Sequence, residues 1–142
     1  MNNSIIILVN YNSFEDTISC VNSIINSNSK EYTIIVIDNC STDDSFCRFS
    51  EWAAQTKSYS NNGDEITIYN PQTNIPYIYF KKAEVNRGFA YGNNLGYNFA
   101  KHKSISFNYV WILNNDTIIK KDTLINFELR MDIEVHSSSR IG

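Results

Sequence analysis

The stretch SIIILVN, residues 4–10, is a continuous apolar run that ends in an asparagine. Such a run is typical of a strand that is covered on both faces of a parallel sheet, because neither face meets water. A similar run occurs in YTIIVIDN, residues 32–39, and two more strands are predicted at PYIYF, residues 76–80, and YVWIL, residues 109–113. The last of these is also predicted to be buried.

Segments with a helical period separate the predicted strands. After the first strand, apolar residues recur at spacings of four, three and four, at Phe14, Ile18, Val21 and Ile25. Capping boxes are predicted at two Ser-x-x-Asp stretches, residues 13–16 and 41–44. Further helices are predicted in residues 86–102 and 121–131. The alternation of strands and helices predicts an α/β fold, with a doubly wound, mostly parallel sheet and helices on both faces.

One segment departs from this alternation. Residues 57–76 are rich in Ser, Asn, Gly and Pro. We therefore predict a long surface loop there, with room for a short strand at EITIY, residues 65–69.

The composition excludes several classes of protein. The 142 residues carry a net charge of −3 and are 42% hydrophobic, which predicts a single ordered domain over residues 1–142. Lysine and arginine are scattered, so nucleic acid is excluded as the expected partner. The apolar runs are much shorter than the roughly 20 residues that span a bilayer. Cys20, Cys40 and Cys47 lack a CxxC spacing, which favours free thiols and the cytoplasm.

Polar residues follow all four predicted strands. In an open parallel sheet, ligands bind beyond the carboxyl ends of the strands. The residues at those ends are Asn10-Tyr11-Asn12, Asp38-Asn39, Asn86-Arg87-Gly88 and Asn114-Asn115-Asp116. A turn would explain any one of these groups alone. Their convergence predicts a binding site.

The sequence lacks the usual phosphate-binding loops. No G-x-G-x-x-G follows the first strand, and no G-x-x-x-x-G-K-[ST] occurs in the chain. Gly88, Gly92 and Gly96 repeat every fourth residue, which favours close packing of one helical face. An alternative at Gly88 is close approach of a ligand. The spacing argues against a dinucleotide-binding dehydrogenase.

A divalent cation, Mg²⁺ or Mn²⁺, would supply the positive charge that a bound diphosphate needs. These ions take carboxylate, amide and phosphate oxygens together. Asp116 follows a predicted strand, and Asn114 lies two residues earlier, where an extended chain points its side chain the same way. Asp116 and Asn114 are therefore the predicted metal ligands.

Four segments, in order, resemble a known family: VNYNSFED, VIDNCSTDDS, NRGFAYGNNLGYNFA and YVWILNNDTII. They are similar to the nucleotide-sugar-binding half of family 2 glycosyltransferases, in particular the bacterial rhamnosyltransferase-like branch. The resemblance covers about residues 4–129. It implies the A-type glycosyltransferase fold, with a Rossmann-like nucleotide-binding half.

The resemblance also implies how a nucleoside would be held. Tyr11 would contact the base or ribose, and the chain at Val9 and Asn10 would line that pocket. Asp38 would accept a hydrogen bond from a pyrimidine ring. Asn10 stands where the family commonly has threonine.

The resemblance places the diphosphate at the other two strand ends. Arg87 and Gly88 would lie near the diphosphate or the donor sugar. Asn114, Asn115 and Asp116 match the D-x-D position, with Asp116 as the metal ligand. Asn114 replaces the first acid of that pattern, so we expect weaker metal affinity than two carboxylates would give.

The implied reaction is metal-assisted, inverting transfer of a sugar from a UDP- or dTDP-linked donor. The acceptor would be a hydroxyl of a glycan or lipid-linked saccharide in bacterial surface polysaccharide synthesis, in the cytoplasm or at the inner face of the membrane. The general base is expected beyond residue 142, because Glu128, Asp132 and Glu134 are predicted to be solvated. The chain would then be an incomplete catalytic domain.

Two alternatives remain from the sequence. The first is a nucleotide-binding module without turnover, which the missing base favours. The second is a flavodoxin-like regulatory domain, whose first strand also ends in polar residues. That second alternative does not explain NRGFAYGNN, residues 86–94.

Overall fold

Six strands and three helices make up most of the computed structural model, which describes residues 3–56 and 58–127. The strands are β1 (Ser4–Asn10), β2 (Tyr32–Asp38), β3 (Tyr59–Asn61), β4 (Glu65–Tyr69), β5 (Pro76–Lys82) and β6 (Tyr109–Ile112). The helices are α1 (Phe14–Ile25), α2 (Ser45–Ala54) and α3 (Phe89–His102). Residues 123–127 are also helical, residues 121–122 form a turn, and residues 128–131 of the predicted last helix lie outside the described residues.

The strands form one sheet in the order β3-β4-β5-β2-β1-β6. Strands β5, β2, β1 and β6 are parallel to one another, whereas β4 pairs antiparallel with β5 and β3 pairs antiparallel with β4. Ile6 and Leu8 face a core that α1 and α2 cover, and Ile5 and Ile7 face a second core under α3. The predicted doubly wound α/β class, with helices on both faces, is confirmed.

The predicted loop at residues 57–76 is wrong in part: the short strand allowed for at residues 65–69 forms as β4, but the described part of the loop also contains β3, which was not predicted. Ile66 and Ile68 of β4 are buried in the core under α1 and α2. Gly63, with φ of 103°, donates its N–H to Asn61 Oδ1 at 2.9 Å and makes the turn between the strands. All three residues of β3 are exposed. An exposed edge strand needs no apolar residues, so its polar composition resembled a loop.

The two predicted capping boxes do not form. α1 begins after Ser13, but the Ser13 hydroxyl donates to Asp16 Oδ2 at 3.1 Å instead of capping the helix. α2 begins at Ser45, with Asp44 as its N-cap, three residues later than the box predicted. Ser41 bonds to Asp38 instead, because the end of β2 lies beside it.

β6 is the edge strand of the described sheet, so the prediction of a buried strand is wrong. Trp111 packs against the core under α1 and α2. Val110 and Ile112, on the opposite face, are 40% and 55% exposed. The apolar run therefore identified the strand but not its place in the sheet.

Two glycines let α3 lie close against β1. A Cβ atom built on Gly96 would lie 2.6 Å from Cγ2 of Ile7, and one built on Gly92 would lie 3.0 Å from both Cγ atoms of Val9. This confirms close helix packing at these two positions. Gly88 differs, because its φ is 95° and a Cβ there would meet no atom within 4 Å.

Candidate functional site

A cavity of about 370 Å³ opens at the carboxyl ends of the parallel strands. We call it the strand-end cavity, and its lining residues are Val9, Tyr11, Ser13, Asn39, Asn86, Gly88, Phe89 and Asn115. They belong to or follow β1, β2, β5 and β6, so all four predicted polar ends meet here. Of the residues predicted for the site, Val9, Tyr11, Gly88 and Asn115 line it directly.

Five polar side chains form a hydrogen-bonded network beside this cavity, which we call the polar floor: Asn10, Thr17, Asp38, Ser41 and Asn115. Asn10 donates through Nδ2 to Asp38 Oδ1 at 2.9 Å and accepts at Oδ1 from Thr17 Oγ1 at 2.7 Å. The Ser41 hydroxyl donates to Asp38 Oδ1 at 2.6 Å. Asn115 donates through Nδ2 to Thr17 Oγ1 at 3.0 Å. The network thus ties the ends of β1 and β2 to α1 and to the turn after β6.

Asp38 lies under the surface of this site. It is 1% exposed, and its Oδ2 accepts the backbone N–H of Ser41 at 3.1 Å in addition to the two bonds at Oδ1. Asn10 is 0% exposed. The structure therefore does not support the direct contact of Asp38 with a pyrimidine, and the Asn10 side chain points into the polar floor while only its backbone was predicted to line the pocket. Both residues position the strand ends, because burial requires their polar atoms to pair within the protein.

Asn39 holds the segment that leads into α3. Its Nδ2 donates to Asn86 Oδ1 at 3.0 Å and to the Gly88 carbonyl at 3.1 Å. Asn86 Oδ1 also accepts the N–H of Gly88 at 2.8 Å. Gly88 has φ of 95° and ψ of 177°, a conformation that is essentially restricted to glycine. These bonds fix the start of α3 against the end of β2.

Asn12 joins the loops after β1 and β2. It adopts φ of 51°, which asparagine tolerates better than most residues. Its Oδ1 accepts the N–H groups of Thr42 and Asp43 at 2.8 and 3.1 Å. From the sequence, Asn12 was assigned no role beyond its place at a strand end.

Arg87 lies apart from Gly88. Its guanidinium stacks 5.6 Å from the ring centroid of Tyr91, and it lines a separate cavity of about 490 Å³. That cavity lies between β5 and α3 and includes Lys81 and Glu84. Gly88 lines the strand-end cavity and Arg87 does not, so the structure does not bring the two predicted diphosphate contacts together. Because the backbone turns at Gly88, Arg87 and Gly88 face different cavities.

Alternating exposure follows β6 through the Asn-Asn-Asp segment. Asn114 and Asp116 are exposed, and Asn115 is half-buried toward Thr17. The N–H of Thr117 donates to the Asn114 carbonyl at 3.0 Å, which closes a turn. The expectation that Asn114 and Asp116 share a side is consistent with this pattern, but neither lines the strand-end cavity.

Asp116 also has an electrostatic effect on α1. Burial raises the pKa of the Cys20 thiol to about 11, and the negative charge of Asp116 adds to the rise. The charge of the exposed Asp116 is therefore close enough to α1 to act on Cys20.

The donor set at Asn114 and Asp116 fits a hard divalent cation. One carboxylate and one amide, both open to solvent, match Mg²⁺ or Mn²⁺, which keep several waters and use one or two carboxylates with phosphate oxygens. Within residues 3–56 and 58–127, no group of three or more His, Cys, Asp or Glu side chains could hold a metal ion. Asn114 and Asp116 would share such an ion with water and phosphate oxygens.

Sequence reasoning missed several residues of this site. Ser13, Asn39, Asn86 and Phe89 line the cavity but were assigned no role. Asn39 and Asn86 do lie at predicted strand ends, which was the available signal.

In the part of the chain that the structure describes, no helix is both long and apolar enough to cross a membrane.

Comparisons with known proteins agree with this architecture. The sequence model of a family described as Glycosyl transferase family 2 matches residues 5–134. No curated protein is significantly similar in sequence.

Solved structures extend the comparison to the fold. TarS (residues 1–349) of S. aureus in complex with UDP-GlcNAc is 19% identical, with a TM-score of 0.63 over 92% of this chain and 31% of that chain. The mannosyltransferase PcManGT from Pyrobaculum calidifontis, in complex with GDP-Man and Mn²⁺, is 17% identical, with a TM-score of 0.63 over 87% of this chain and 30% of that chain. At these identities the likeness shows a shared fold. The chain spans about a third of the length of these proteins.

Proposed function

Because this chain belongs to glycosyl transferase family 2, we propose that it binds a nucleoside-diphosphate sugar in the strand-end cavity. It would do so as the donor-binding part of an enzyme that transfers the sugar to an acceptor hydroxyl. The observation that carries this proposal is the convergence of four strand ends on one cavity. In a doubly wound sheet, nucleotides bind where the chain crosses from one side of the first strand to the other. Here β2 and β6 flank β1 on opposite sides.

The lining of the cavity suits a nucleoside. Tyr11 and Phe89 are 45% and 50% exposed, so each offers an aromatic face on which a base can stack. Val9 supplies apolar contact, and Asn39, Asn86 and the backbone at Gly88 supply polar groups. A few polar groups in a mostly apolar lining are typical of small-molecule sites.

Asp116 and Asn114 would hold the divalent cation beside the diphosphate. When bound, the cation stabilises the negative charge that develops on the departing diphosphate. Asp116 brings one negative charge and Asn114 an uncharged oxygen, which predicts modest affinity for the metal alone. The Mn²⁺ in the similar mannosyltransferase structure supports this assignment.

The proposal extends to the finer points that the resemblance implies. The donor would be a UDP- or dTDP-linked hexose or rhamnose, and the acceptor a glycan or lipid-linked saccharide of bacterial surface polysaccharide. Transfer would invert the anomeric carbon, and the chain would act in the cytoplasm or at the inner face of the membrane. UDP-GlcNAc in the similar TarS structure supports a UDP donor.

A nucleotide-binding module without turnover is the second candidate. Among the described residues that line the strand-end cavity, none is an Asp or Glu that could serve as general base. Glu128, Asp132 and Glu134 lie outside the described residues.

Thermal unfolding of the chain with nucleotides tests the proposal. UDP, dTDP, GDP and CDP would be compared with and without Mn²⁺, in the wild type and in Asp116→Ala. A ligand at about 100 times its Kd that binds only the native state adds about 2.7 kcal/mol of stability. We expect a Mn²⁺-dependent rise in Tm that Asp116→Ala removes.

The matched control is Glu51→Ala, which removes an exposed carboxylate from α2. This variant should retain the full nucleotide shift. A cooperative melt that no nucleotide moves, with or without Mn²⁺, would refute the donor site in this chain.

A further inference from the structure

Asn93 is a buried polar residue of α3. It is 7% exposed, and its Oδ1 is buried without a hydrogen-bond partner among the described residues. Buried polar atoms are nearly always paired, because an unpaired acceptor loses its hydrogen bonds to water and gains none in return. The Asn93 oxygen therefore calls for a donor that binding brings within its reach.

Helix geometry places Asn93 on the side of α3 that faces β6. Residues four apart lie on the same face of a helix. Four residues before Asn93, Phe89 lines the strand-end cavity together with Asn115. Four residues after it, Tyr97 packs edge-on against Phe107, which precedes β6, with ring centroids 5.9 Å apart. Asn93 therefore lies between the cavity and the β6 edge of the sheet.

The register of the strands brings Asn114 to the same corner. Val9 and Asn114 lie at one level of neighbouring strands, since each is two residues beyond the last pair of the β1–β6 ladder. Asn114 shares a face with Ile112, two residues earlier, and that is the face of the sheet on which α3 lies. At this level α3 contacts Val9 through Gly92, the residue next to Asn93. Asn93 and Asn114 are thus neighbours across the gap between α3 and the end of β6.

We propose that Asn93 is a positioning residue for the metal ligand Asn114. The Asn93 Oδ1 would accept a hydrogen bond from the Asn114 amide nitrogen, which turns the Asn114 oxygen toward the cation. This inference rests on the proposed donor-binding function and names the residue that orients one of its ligands. Metal ligands are commonly held by such a second hydrogen bond, and removing it costs about 10- to 100-fold in metal affinity or activity.

The pairing gives a reason for an amide at residue 114. An amide carries both a donor and an acceptor, so Asn114 can give its N–H to Asn93 and keep its oxygen for the cation. A carboxylate at this position would present only oxygens, and one of them would face the Asn93 oxygen. Asn114 is exposed, so its side chain has room to turn toward Asn93 when the cation and the diphosphate bind.

Calorimetric titration of the full chain with UDP, in Mn²⁺ and in EDTA, separates the metal from the nucleotide. The ratio of the two affinities is the gain that the metal provides. In Asn93→Leu, which keeps a side chain of similar shape without the acceptor, this gain should fall about tenfold. The affinity for UDP in EDTA should stay at the wild-type value. Asn94→Leu, at an exposed position of the same helix, is the matched control and should keep the full gain.

The stability of the variant distinguishes positioning from a purely structural role. Because Asn93→Leu removes an unpaired buried oxygen, its Tm without nucleotide or metal should equal or exceed that of the wild type. A residue that only supported the fold would lower the Tm and leave the gain from Mn²⁺ unchanged. Asn93→Ala, with a smaller side chain, provides the same test if leucine does not fit the space.

A double variant shows whether Asn93 acts through Asn114. Asn114→Ala should itself reduce the gain from Mn²⁺, and adding Asn93→Leu should weaken UDP binding in Mn²⁺ no further. Additive losses would mean that Asn93 contacts the cation or the nucleotide directly, which would overturn its positioning role.

The remaining outcomes separate this inference from the proposed function. A wild-type gain from Mn²⁺ in both Asn93→Leu and Asn93→Ala would overturn the role of Asn93 and leave the donor site intact. Equal weakening of UDP binding in Mn²⁺ and in EDTA would also overturn it, since the residue would then act on the nucleotide. A wild type that binds UDP without any gain from Mn²⁺ would overturn the metal site and the role of Asn93 together. A chain that binds no nucleotide would overturn the proposed function itself.

Discussion

Gly96→Ala tests how closely α3 must approach β1. The added Cβ would lie 2.6 Å from Cγ2 of Ile7, about 1 Å closer than two carbon atoms pack comfortably. Ile7 is 0% exposed, and its branched Cβ leaves few rotamers, so that methyl group cannot swing aside. The strain must be relieved by moving α3 or β1.

The expected size follows from two opposing effects. Alanine is more favourable than glycine inside a helix by about 1 kcal/mol. Overpacking a core typically costs about 1 to 3 kcal/mol, and this contact is at the severe end. We expect a net loss of about 1 to 2 kcal/mol in the free energy of unfolding, measured by urea denaturation with the m-value unchanged.

Two further variants make the interpretation specific. Asn94→Ala lies on an exposed position of the same helix and should be neutral or slightly stabilising. In an Ile7→Ala background the clash is gone, so Gly96→Ala should become stabilising, by up to about 1 kcal/mol. If Gly96→Ala stabilises the wild type as Asn94→Ala does, the close approach of α3 to β1 is not a constraint.

Two other variants probe buried groups near the site. Asp38→Asn should lower the free energy of unfolding by about 1 to 3 kcal/mol, because an amide nitrogen replaces one of the two oxygens that accept hydrogen bonds from Asn10 and Ser41. Urea denaturation measures this loss, and Asp38→Ala, as the comparison, should lower the free energy of unfolding further. An unchanged stability of Asp38→Asn would contradict the hydrogen bonds of the polar floor. The pKa of Cys20 rises from 9.0 to about 11 on folding, so above pH 9 the unfolded chain ionises first and the folded state loses stability. Between pH 9 and pH 11 the free energy of unfolding of the wild type, measured by urea denaturation, should fall by roughly 1 kcal/mol more than that of Cys20→Ala. If the free energies of unfolding of the two proteins change in parallel with pH, the thiol ionises freely in the folded state.

The sequence predicted the fold where local patterns and final burial coincide. β1 and β2 are buried at nearly every residue, so their apolar runs matched the strands that form. The polar strand ends met as expected, because parallel strands bring their carboxyl ends to one edge of the sheet. β4 matched the short strand expected at residues 65–69, whereas β3 was missed because all three of its residues are exposed and it has no apolar run.

Roles within the site were harder to predict, because they depend on distant partners. Asp38 is saturated by Asn10, which is 28 residues away, and by Ser41. No local pattern distinguishes a carboxylate that faces a ligand from one that lies beneath the surface. Arg87 and Gly88 are adjacent in sequence, yet they serve different cavities because the backbone turns between them.

The polar floor constrains how this family can change during evolution. The amide of Asn10 donates to Asp38 and accepts from Thr17 at the same time. A residue that could only donate or only accept would leave Thr17 or Asp38 buried without that hydrogen bond, and water cannot reach the site to replace it. Single substitutions at these positions should therefore be removed by selection. Among related sequences, positions 10, 17 and 38 should vary together, with a change at one accompanied by a compensating change at another.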